Sequence, residues 1–204
     1  MVKVAIVTNI PAPYRVDLYN YLHENVTQYD FNIIYTSENE SNRAWVVNEE
    51  KLVKSYILKS KVIKLKEKID DRYIHIPGTM LKILNQINPD VVIAMEYNPA
   101  AIQCLAWCKQ KKKKFIHLTD GTLSSEKNIN VLQKFLRKFI CEKSDAFIAS
   151  STKAKEKLMY WGAPEEKIFL SFCFCSCKYS ILEISSAIDA VLCACENLVS
   201  YLAS

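Results

Sequence analysis

The segment FIHLTDGTL, residues 115–123, decides the fold. A run of four lysines, residues 111–114, gives way there to an apolar run that suits a buried strand, and the strand breaks at Asp120-Gly121. Asp-Gly is among the strongest turn-forming dipeptides. In α/β sheets, ligands bind outside the carboxyl ends of the strands, where loops and helix N-termini expose backbone donors. Asp120 is therefore the first candidate for a side chain that faces a substrate.

Outward from this segment, strand patterns alternate with helix patterns. Residues 2–9, VKVAIVTN, alternate and are rich in β-branched side chains, whereas residues 90–95, DVVIAM, form the continuous apolar run typical of a parallel strand buried on both faces. Further strands are predicted at residues 31–37, 115–119, 145–150 and 165–172, with an edge strand in SYILKS, residues 55–60. This order predicts an α/β fold, a Rossmann-like doubly wound parallel sheet.

Helical spacing is predicted for residues 14–25, 99–108, 130–143 and 151–162, and from Pro77 onward. The helix after Pro77 is expected to bury Met80, Leu81, Ile83, Leu84 and Ile87. In the helix of residues 151–162, a Ser or Thr N-cap and Gly162 mark the two ends. No GxGxxG follows the first strand, so the dinucleotide fingerprint of NAD-dependent enzymes is absent.

Composition indicates an ordinary globular protein: of 204 residues, 50% are hydrophobic and 24% are charged. The N-terminus lacks the pattern of a signal peptide, and no apolar run is long enough to cross a bilayer. We therefore expect a cytoplasmic protein whose eight cysteines are thiols. Cys173, Cys175 and Cys177 alternate, which fits packing better than zinc, whose ligands are usually spaced CxxC, so no metal or cofactor is expected.

The net charge of +5 is concentrated in two lysine clusters, at residues 59–68 and 109–114. Such clusters suit an anionic membrane surface, which predicts peripheral association with the inner face of the cell membrane. A solvated loop between a helix and a strand is the alternative. Nucleic acid is not an expected partner, because no helix-turn-helix, RNA-binding aromatic motif or zinc-finger spacing accompanies the charge.

The loop after the first strand, IPAPYR, is stiffened by Pro11 and Pro13. Arg15 follows near the start of the next helix, where a cation opposes the helix dipole. Arg15 is expected either to lie along the surface or to reach an anionic ligand.

Three segments resemble the N-terminal domain of family 4 (group 1) glycosyltransferases of the GT-B fold, of the bacterial capsular and exopolysaccharide type. They are NIPAPYR with its LYNYL helix; INPDVVIAMEYNPAAIQCLAWCK; and KKKFIHLTDGTLSSEKN, which continues into SDAFIASSTKAKEKLMYWGAPEEKIFLSF. The similarity covers residues 2–172, and the DAFIASS…GAPEEKI part is its most specific portion.

The resemblance implies a retaining transferase that moves a sugar from a nucleotide donor to a saccharide or polyprenyl-linked acceptor, with no metal cofactor. The N-terminal domain of that family mainly binds the acceptor and often touches the membrane. Asp120 matches a polar residue at a strand end in the family, which assigns it the catalytic role. The matching acceptor-binding positions are Pro11, Pro13, Tyr14, Arg15, Glu96, Tyr97 and Gly121.

One departure from the family pattern is large. The donor domain of the family carries two glutamates eight positions apart, and no two glutamates here have that spacing. After residue 172 the sequence diverges into a tail, residues 173–204, whose residues 181–202 carry an apolar helical stripe that should dock on the sheet domain, on a partner or on a lipid surface. We therefore expect a truncated or split enzyme whose donor domain comes from a separate chain. A non-catalytic glycan- or lipid-head-group-binding module, or a gene remnant, is the alternative.

Two residues of the 115–123 segment keep competing interpretations. Asp120 lines a cleft in one, and in the other it closes an Asp-Gly turn on its own backbone. His117 lies three residues before Asp120 and points to the opposite face of a regular strand, so it is expected to be a core histidine rather than a base.

Overall fold

The structure is a computed structural model, and it describes residues 1–40, 52–65, 72–126 and 129–170. Seven parallel strands form one sheet, and a two-stranded antiparallel hairpin adjoins it. The parallel strands are β1 (Val2–Thr8), β2 (Tyr29–Tyr35), β3 (Ser55–Ile57), β6 (Val91–Met95), β7 (Lys114–Thr119), β8 (Ala146–Ala149) and β9 (Ile168–Leu170). Their order, β3-β2-β1-β6-β7-β8-β9, is that of a doubly wound sheet and confirms the predicted fold class.

Five helices connect the strands: α1 (Pro13–Asn25), α2 (Met80–Ile87), α3 (Pro99–Lys111), α4 (Val131–Lys143) and α5 (Thr152–Tyr160). Short 3-10 segments occupy Leu123–Glu126 and Glu165–Lys167. Asn130 caps α4 with a reciprocal capping box to Gln133, and Ser151 caps α5 by accepting a hydrogen bond from the Ala154 amide. Gly162, with φ of +97°, ends the α5 region as its sequence position predicts.

The core lies on both faces of the sheet. On one face, α1 packs through Leu18, Tyr19 and Leu22 against β1 and β2. On the other face, α2 and α3 cover β1, β6 and β7, while a third cluster holds α5 against β8 and β9. The five residues of β6 are all buried, as their continuous apolar run predicts.

The hairpin of β4 (Ser60–Leu65) and β5 (Arg72–Pro77) is not among the strands predicted from sequence. The loop interpretation of the lysine cluster at residues 59–68 is therefore wrong for Lys61 and Lys64, which lie on β4. The hairpin is attached to the end of β2 by the buried His75, whose ring contacts the Thr36 hydroxyl at 3.1 Å and the Glu40 carboxylate at 3.0 Å.

The second lysine cluster lies at the amino-terminal edge of the sheet, where α3 ends and β7 begins. Lys113 pairs with Asp90 at 2.8 Å, and Lys109 pairs with Asp145 at 3.2 Å. These pairs hold the helix-to-strand connection against neighbouring strands, so part of the cluster serves the fold.

The prediction that Leu81 of α2 lies in the core is wrong. Leu81 is 49% exposed, whereas Met80, Leu84 and Ile87 are buried. A residue adjacent to Met80 lies about 100° around the helix from it, and in this short helix that direction leads to solvent.

The two leucines of α2 provide a matched test. We expect Leu84→Ala to lower the free energy of unfolding by about 3 kcal/mol, because Leu84 has no exposed surface and its removal leaves a cavity. Leu81→Ala should change it by less than about 0.5 kcal/mol. Urea unfolding followed by circular dichroism measures both, and equal losses would contradict this assignment of the core.

Candidate functional site

The carboxyl ends of β1, β6 and β7 lie side by side along one edge of the sheet, which we call the rim. The crossover point of the doubly wound sheet lies between β1 and β6, because the chain runs to β2 and β3 on one side before returning to β6. Asn98 joins the loops after these two strands by donating a hydrogen bond to Asn9 Oδ1 at 3.4 Å. Crossover points of this kind open a crevice between the loops, which is where open α/β sheets bind ligands.

The predicted residues of the first loop reach the rim in different ways. Pro11 is buried, and Pro13 begins α1. Tyr14 is 41% exposed, and the Arg15 guanidinium lies over its ring at 5.5 Å. Arg15 also donates to the Thr8 hydroxyl, at the carboxyl end of β1, at 2.5 Å. Arg15 thus lies at the rim, and its binding of an anionic ligand stays a prediction.

Glu96 and Asp120, predicted from separate strand ends, are brought together. Glu96 Oε1 accepts hydrogen bonds from the Thr119 hydroxyl at 3.2 Å and from the Asp120 amide at 3.3 Å. Glu96 has φ of +61°, a left-handed conformation that costs a non-glycine residue about 1 kcal/mol or more. A strained acidic residue at a strand end is the kind of outlier that marks functional sites.

The Glu96 carboxyl, which lies beside Asp120, has a strongly raised pKa. Burial raises the pKa of Glu96 to about 7; the ammonium of Lys157 opposes this rise, and the Asp120 carboxylate and a hydrogen bond to it add to the rise. Asp120 itself is exposed. Near neutral pH, the rim therefore presents a carboxyl that can donate a proton beside a carboxylate that accepts hydrogen bonds.

Asp120-Gly121 is not the tight turn that its sequence suggests, because Gly121 does not have a positive φ. The space there is occupied from below: a Cβ at position 121 would lie 2.7 Å from Lys157 Nζ and would displace the end of that side chain. Gly121 donates its amide to the Thr119 hydroxyl at 3.3 Å, so the loop folds back on the end of β7.

A buried charged network lies beneath this loop, and none of its members was among the predicted site residues. The Glu126 carboxylate contacts Arg137 Nε at 2.9 Å and Lys157 Nζ at 3.5 Å, and it accepts a hydrogen bond from Trp161 Nε1 at 3.0 Å. A sequence signal was available for two of them, since Lys157 falls on the face of α5 with Ala154 and Leu158, and Arg137 falls on the face of α4 with Ile140 and Cys141. Glu126 carries no comparable signal.

Tyr97 and His117 form the layer between this network and the sheet. Tyr97 is only 8% exposed, and its ring packs on that of His117 at 4.6 Å and under the Arg137 guanidinium at 4.7 Å. His117 is fully buried, and burial, with Lys157 and Arg137 adding to it, lowers its pKa to about 3. The structure thus places His117 in the core, as expected, and makes Tyr97 a support of the rim rather than an exposed contact.

A cavity of about 320 Å3 opens beside the network. It is lined by Leu123, Glu126, Ile129, Lys134, Tyr160 and Trp161. Tyr160 and Trp161 meet edge to face at 5.0 Å, which gives the cavity an aromatic wall.

Within the residues described, His, Cys, Asp and Glu side chains form no group that could hold a metal ion. The predicted cysteine group at residues 173–177 and the apolar stripe at 181–202 lie outside those residues.

The Glycosyltransferase Family 4 model matches residues 16–171, which include the ends of β6 and β7 and the network beneath them but not β1 and its loop. The chain belongs to glycosyltransferase family 4. A comparison with curated protein sequences finds no match.

Solved structures show the same fold as this family 4 chain at low sequence identity. The UDP-GlcNAc 2-epimerase from Methanocaldococcus jannaschii is 18% identical with a TM-score of 0.51, and the match covers 83% of this chain and 45% of the epimerase. Anabaena Alr3699/HepE in complex with UDP-glucose is 9% identical with a TM-score of 0.57, with coverage of 84% and 44%. The S. aureus MnaA–UDP co-structure is 11% identical with a TM-score of 0.53 and the same coverage. The family 4 chain thus spans less than half the length of these proteins.

The proton on Glu96 should make the stability of the family 4 domain depend on pH. The folded state holds this proton up to about pH 7, whereas the unfolded state releases it near pH 4.5. Raising the pH through this window therefore removes stabilisation, on the order of 3 kcal/mol, and the loss is complete once the pH is well above 7.

Urea unfolding of the wild type and Glu96→Gln at pH 5 and pH 8 measures this effect. The variant should lack the part of this pH dependence that Glu96 causes. The opposing contribution of His117 is common to both proteins, so it cancels when their free energies of unfolding are compared. An identical pH dependence in the two proteins would contradict a raised pKa at Glu96.

The left-handed backbone at position 96 predicts a second pair of variants. Because only glycine adopts a φ of +61° without strain, Glu96→Gly should be more stable than Glu96→Ala by about 1 kcal/mol, despite the greater flexibility of its unfolded chain. Thermal unfolding compares them. Glu96→Ala as the more stable variant would rule out strain at this position.

Proposed function

We propose that this family 4 domain is the acceptor-binding half of an enzyme that transfers a sugar from a nucleotide-sugar donor to a saccharide or lipid-linked acceptor in polysaccharide synthesis. The observation that carries this proposal is the Glu96–Asp120 carboxyl pair at the crossover rim. Two of the solved structures with this fold hold UDP-glucose or UDP, which supports a sugar-handling cleft.

The pair suits a hydroxyl-bearing ligand. A sugar hydroxyl can donate to the Asp120 carboxylate and accept from the protonated Glu96 at once, since hydroxyls are both donors and acceptors. In the transfer, the acceptor oxygen bonds to the anomeric carbon as the bond from that carbon to the phosphate of the donor breaks, and the hydroxyl proton passes to the departing phosphate oxygen. The Asp120 carboxylate would favour positive charge developing at the sugar ring.

The donor half belongs to the same proposal. Because the chain spans about 45% of the length of the solved structures with this fold, the nucleotide-sugar site would lie in a second domain facing the rim. We propose that a separate chain can supply that domain, with the rim completing the cleft from the acceptor side.

A saccharide array tests the acceptor site directly. Asp120→Asn should weaken binding of any saccharide captured by the wild type at least about tenfold, because hydrogen bonds to charged groups contribute about 1.5–3 kcal/mol. Asp17→Asn, at an exposed position on α1, is the control and should bind normally. Unchanged affinity in Asp120→Asn would leave Asp120 with no part in ligand binding.

We also propose that the domain associates peripherally with anionic membranes, through a face of α4 rather than through the two predicted lysine clusters. Val131, Leu132 and Phe135 are 82%, 73% and 64% exposed, although they are large and apolar. Phe135 also stacks on the half-exposed Phe139 at 6.3 Å. No helix in the described part of the chain is long and apolar enough to cross a bilayer.

The charge around this apolar face favours an anionic lipid surface as its partner. Lys134 and Lys138 are exposed along one flank, and Lys143 lies on the other. The single acidic residue there, Glu142, already pairs with Lys143 at 2.7 Å. A second copy of this face would repel it, whereas an apolar strip edged by lysines fits the headgroup region of an anionic bilayer.

Vesicle co-sedimentation measures this association. The wild type should bind vesicles that contain phosphatidylglycerol and lose most binding on pure phosphatidylcholine. Phe135→Ser with Leu132→Ser should weaken binding at least about tenfold, since each buried apolar side chain contributes about 1.5 kcal/mol or more. Leu81→Ser, at an exposed leucine on α2, should not. Loss of folding stability in the α4 variant would mean that protein, not lipid, covers this face.

A further inference from the structure

Lys157 is the least expected residue of the site, because its side chain is charged and has no exposed surface. Lysine is almost never fully buried unless its ammonium is paired. Here the Nζ atom donates to the Thr119 hydroxyl at 2.8 Å, lies 3.5 Å from Glu126 Oε1, and sits 5.0 Å from the centre of the Tyr97 ring. These contacts direct the ammonium at the underside of the rim rather than at solvent.

The loop after β7 rests directly on this ammonium. A side chain at Gly121 would approach Nζ to 2.7 Å, which is closer than real Cβ atoms come to other atoms. The Gly121 amide also donates to the Thr119 hydroxyl at 3.3 Å. Lys157 and the backbone at Gly121 are therefore in contact through space and through a shared partner, Thr119.

The Thr119 hydroxyl transmits this contact to Glu96. Its oxygen has two acceptor positions, and Lys157 and the Gly121 amide fill both. Its single proton then has one direction left and is donated to Glu96 Oε1 at 3.2 Å. The direction of every hydrogen bond in this chain is thus determined by the fact that an ammonium group can only donate.

We propose that Lys157 is the positioning residue of the rim, whose buried ammonium fixes Thr119 and Gly121 and limits the Glu96–Asp120 carboxyl pair to a single, readily released proton. This inference rests on the proposed function, because a carboxyl pair that holds one proton can both donate a hydrogen bond to a sugar hydroxyl and accept one from it. Lys157 does not itself contact the ligand in this arrangement.

The charges that face Glu96 agree with one shared proton. Asp120 approaches it from β7 and Lys157 from α5, and behind them Arg137 on α4 and Glu126 in the 3-10 segment complete the cluster. His117 on β7 stays neutral because it is buried, and Tyr97 is neutral for the same reason. With Glu96 protonated, two cations balance the carboxylates of Asp120 and Glu126. Ionisation of Glu96 leaves a net charge of −1 in a poorly hydrated region.

Carbon-13 NMR of glutamate carboxyls, with Glu96→Gln used to assign the Glu96 signal, tests the proposal without any ligand. The wild-type signal should titrate with a midpoint near pH 7. Lys157→Met removes the charge at similar length and should raise that midpoint by about one pH unit or more, since a neighbouring opposite charge shifts a pKa by about 1–3 units. Lys157→Gln, which keeps an N–H donor, serves if the methionine variant does not fold and should also raise it. Lys157→Arg, which keeps the charge, should restore it.

Lys153→Met is the matched control, because Lys153 is an exposed lysine on the same helix, and its Glu96 midpoint should equal that of the wild type. A midpoint unchanged in both Lys157→Met and Lys157→Gln would overturn the proposal, and so would a wild-type midpoint near pH 4.5. Failure of the saccharide array with the expected NMR shifts would count against the proposed function alone. Normal saccharide binding with no NMR shift would count against Lys157 alone.

Discussion

An ammonium group can stay in a protein interior only where polar atoms replace the water it has lost. This constraint determines the structure of the part of the domain that carries the candidate site. The partners of Lys157 come from different parts of the chain: the end of β7, the 3-10 segment after it and, through Glu126, α4. Each of these elements is held in place by the requirement to satisfy the same buried charge. The loop that carries Asp120 is consequently supported by contacts at Gly121 and Glu126, although Asp120 itself is exposed to solvent.

The parallel sheet provides the other half of this support. Its central strands are buried on both faces, so the carboxyl ends of β1, β6 and β7 are fixed relative to one another by ladders of backbone hydrogen bonds. Residues that directly follow these strands, such as Glu96 and Asp120, are therefore also held in fixed relative positions. The match to family 4 covers β6 and β7 with their following loops, which agrees with a site built on rigid strand ends rather than on the surface of a helix.

The sequence predicts the architecture well because buried parallel strands leave a direct record, a continuous apolar run such as residues 91–95. The β4–β5 hairpin escaped prediction since its alternating lysines resemble a solvated loop, and Leu81 was misplaced because a short helix buries a narrower stripe than its apolar content suggests. Asp120 and Glu96 could be proposed from their positions after strands. Their pairing could not be predicted, and neither could the effect of Lys157 in opposing the raised pKa of Glu96, because Lys157 is 37 positions beyond Asp120 and reaches the rim only through tertiary packing.

The hydrogen bond between Asn9 and Asn98 spans 89 residues of chain. During synthesis, β1 leaves the ribosome long before β6, its neighbour at the crossover, has been made. One edge of β1 stays unpaired through that interval, and exposed edges of this kind invite pairing with other chains. The same topology that creates the crevice therefore leaves this edge of β1 open to wrong pairing in the nascent chain until β6 has emerged.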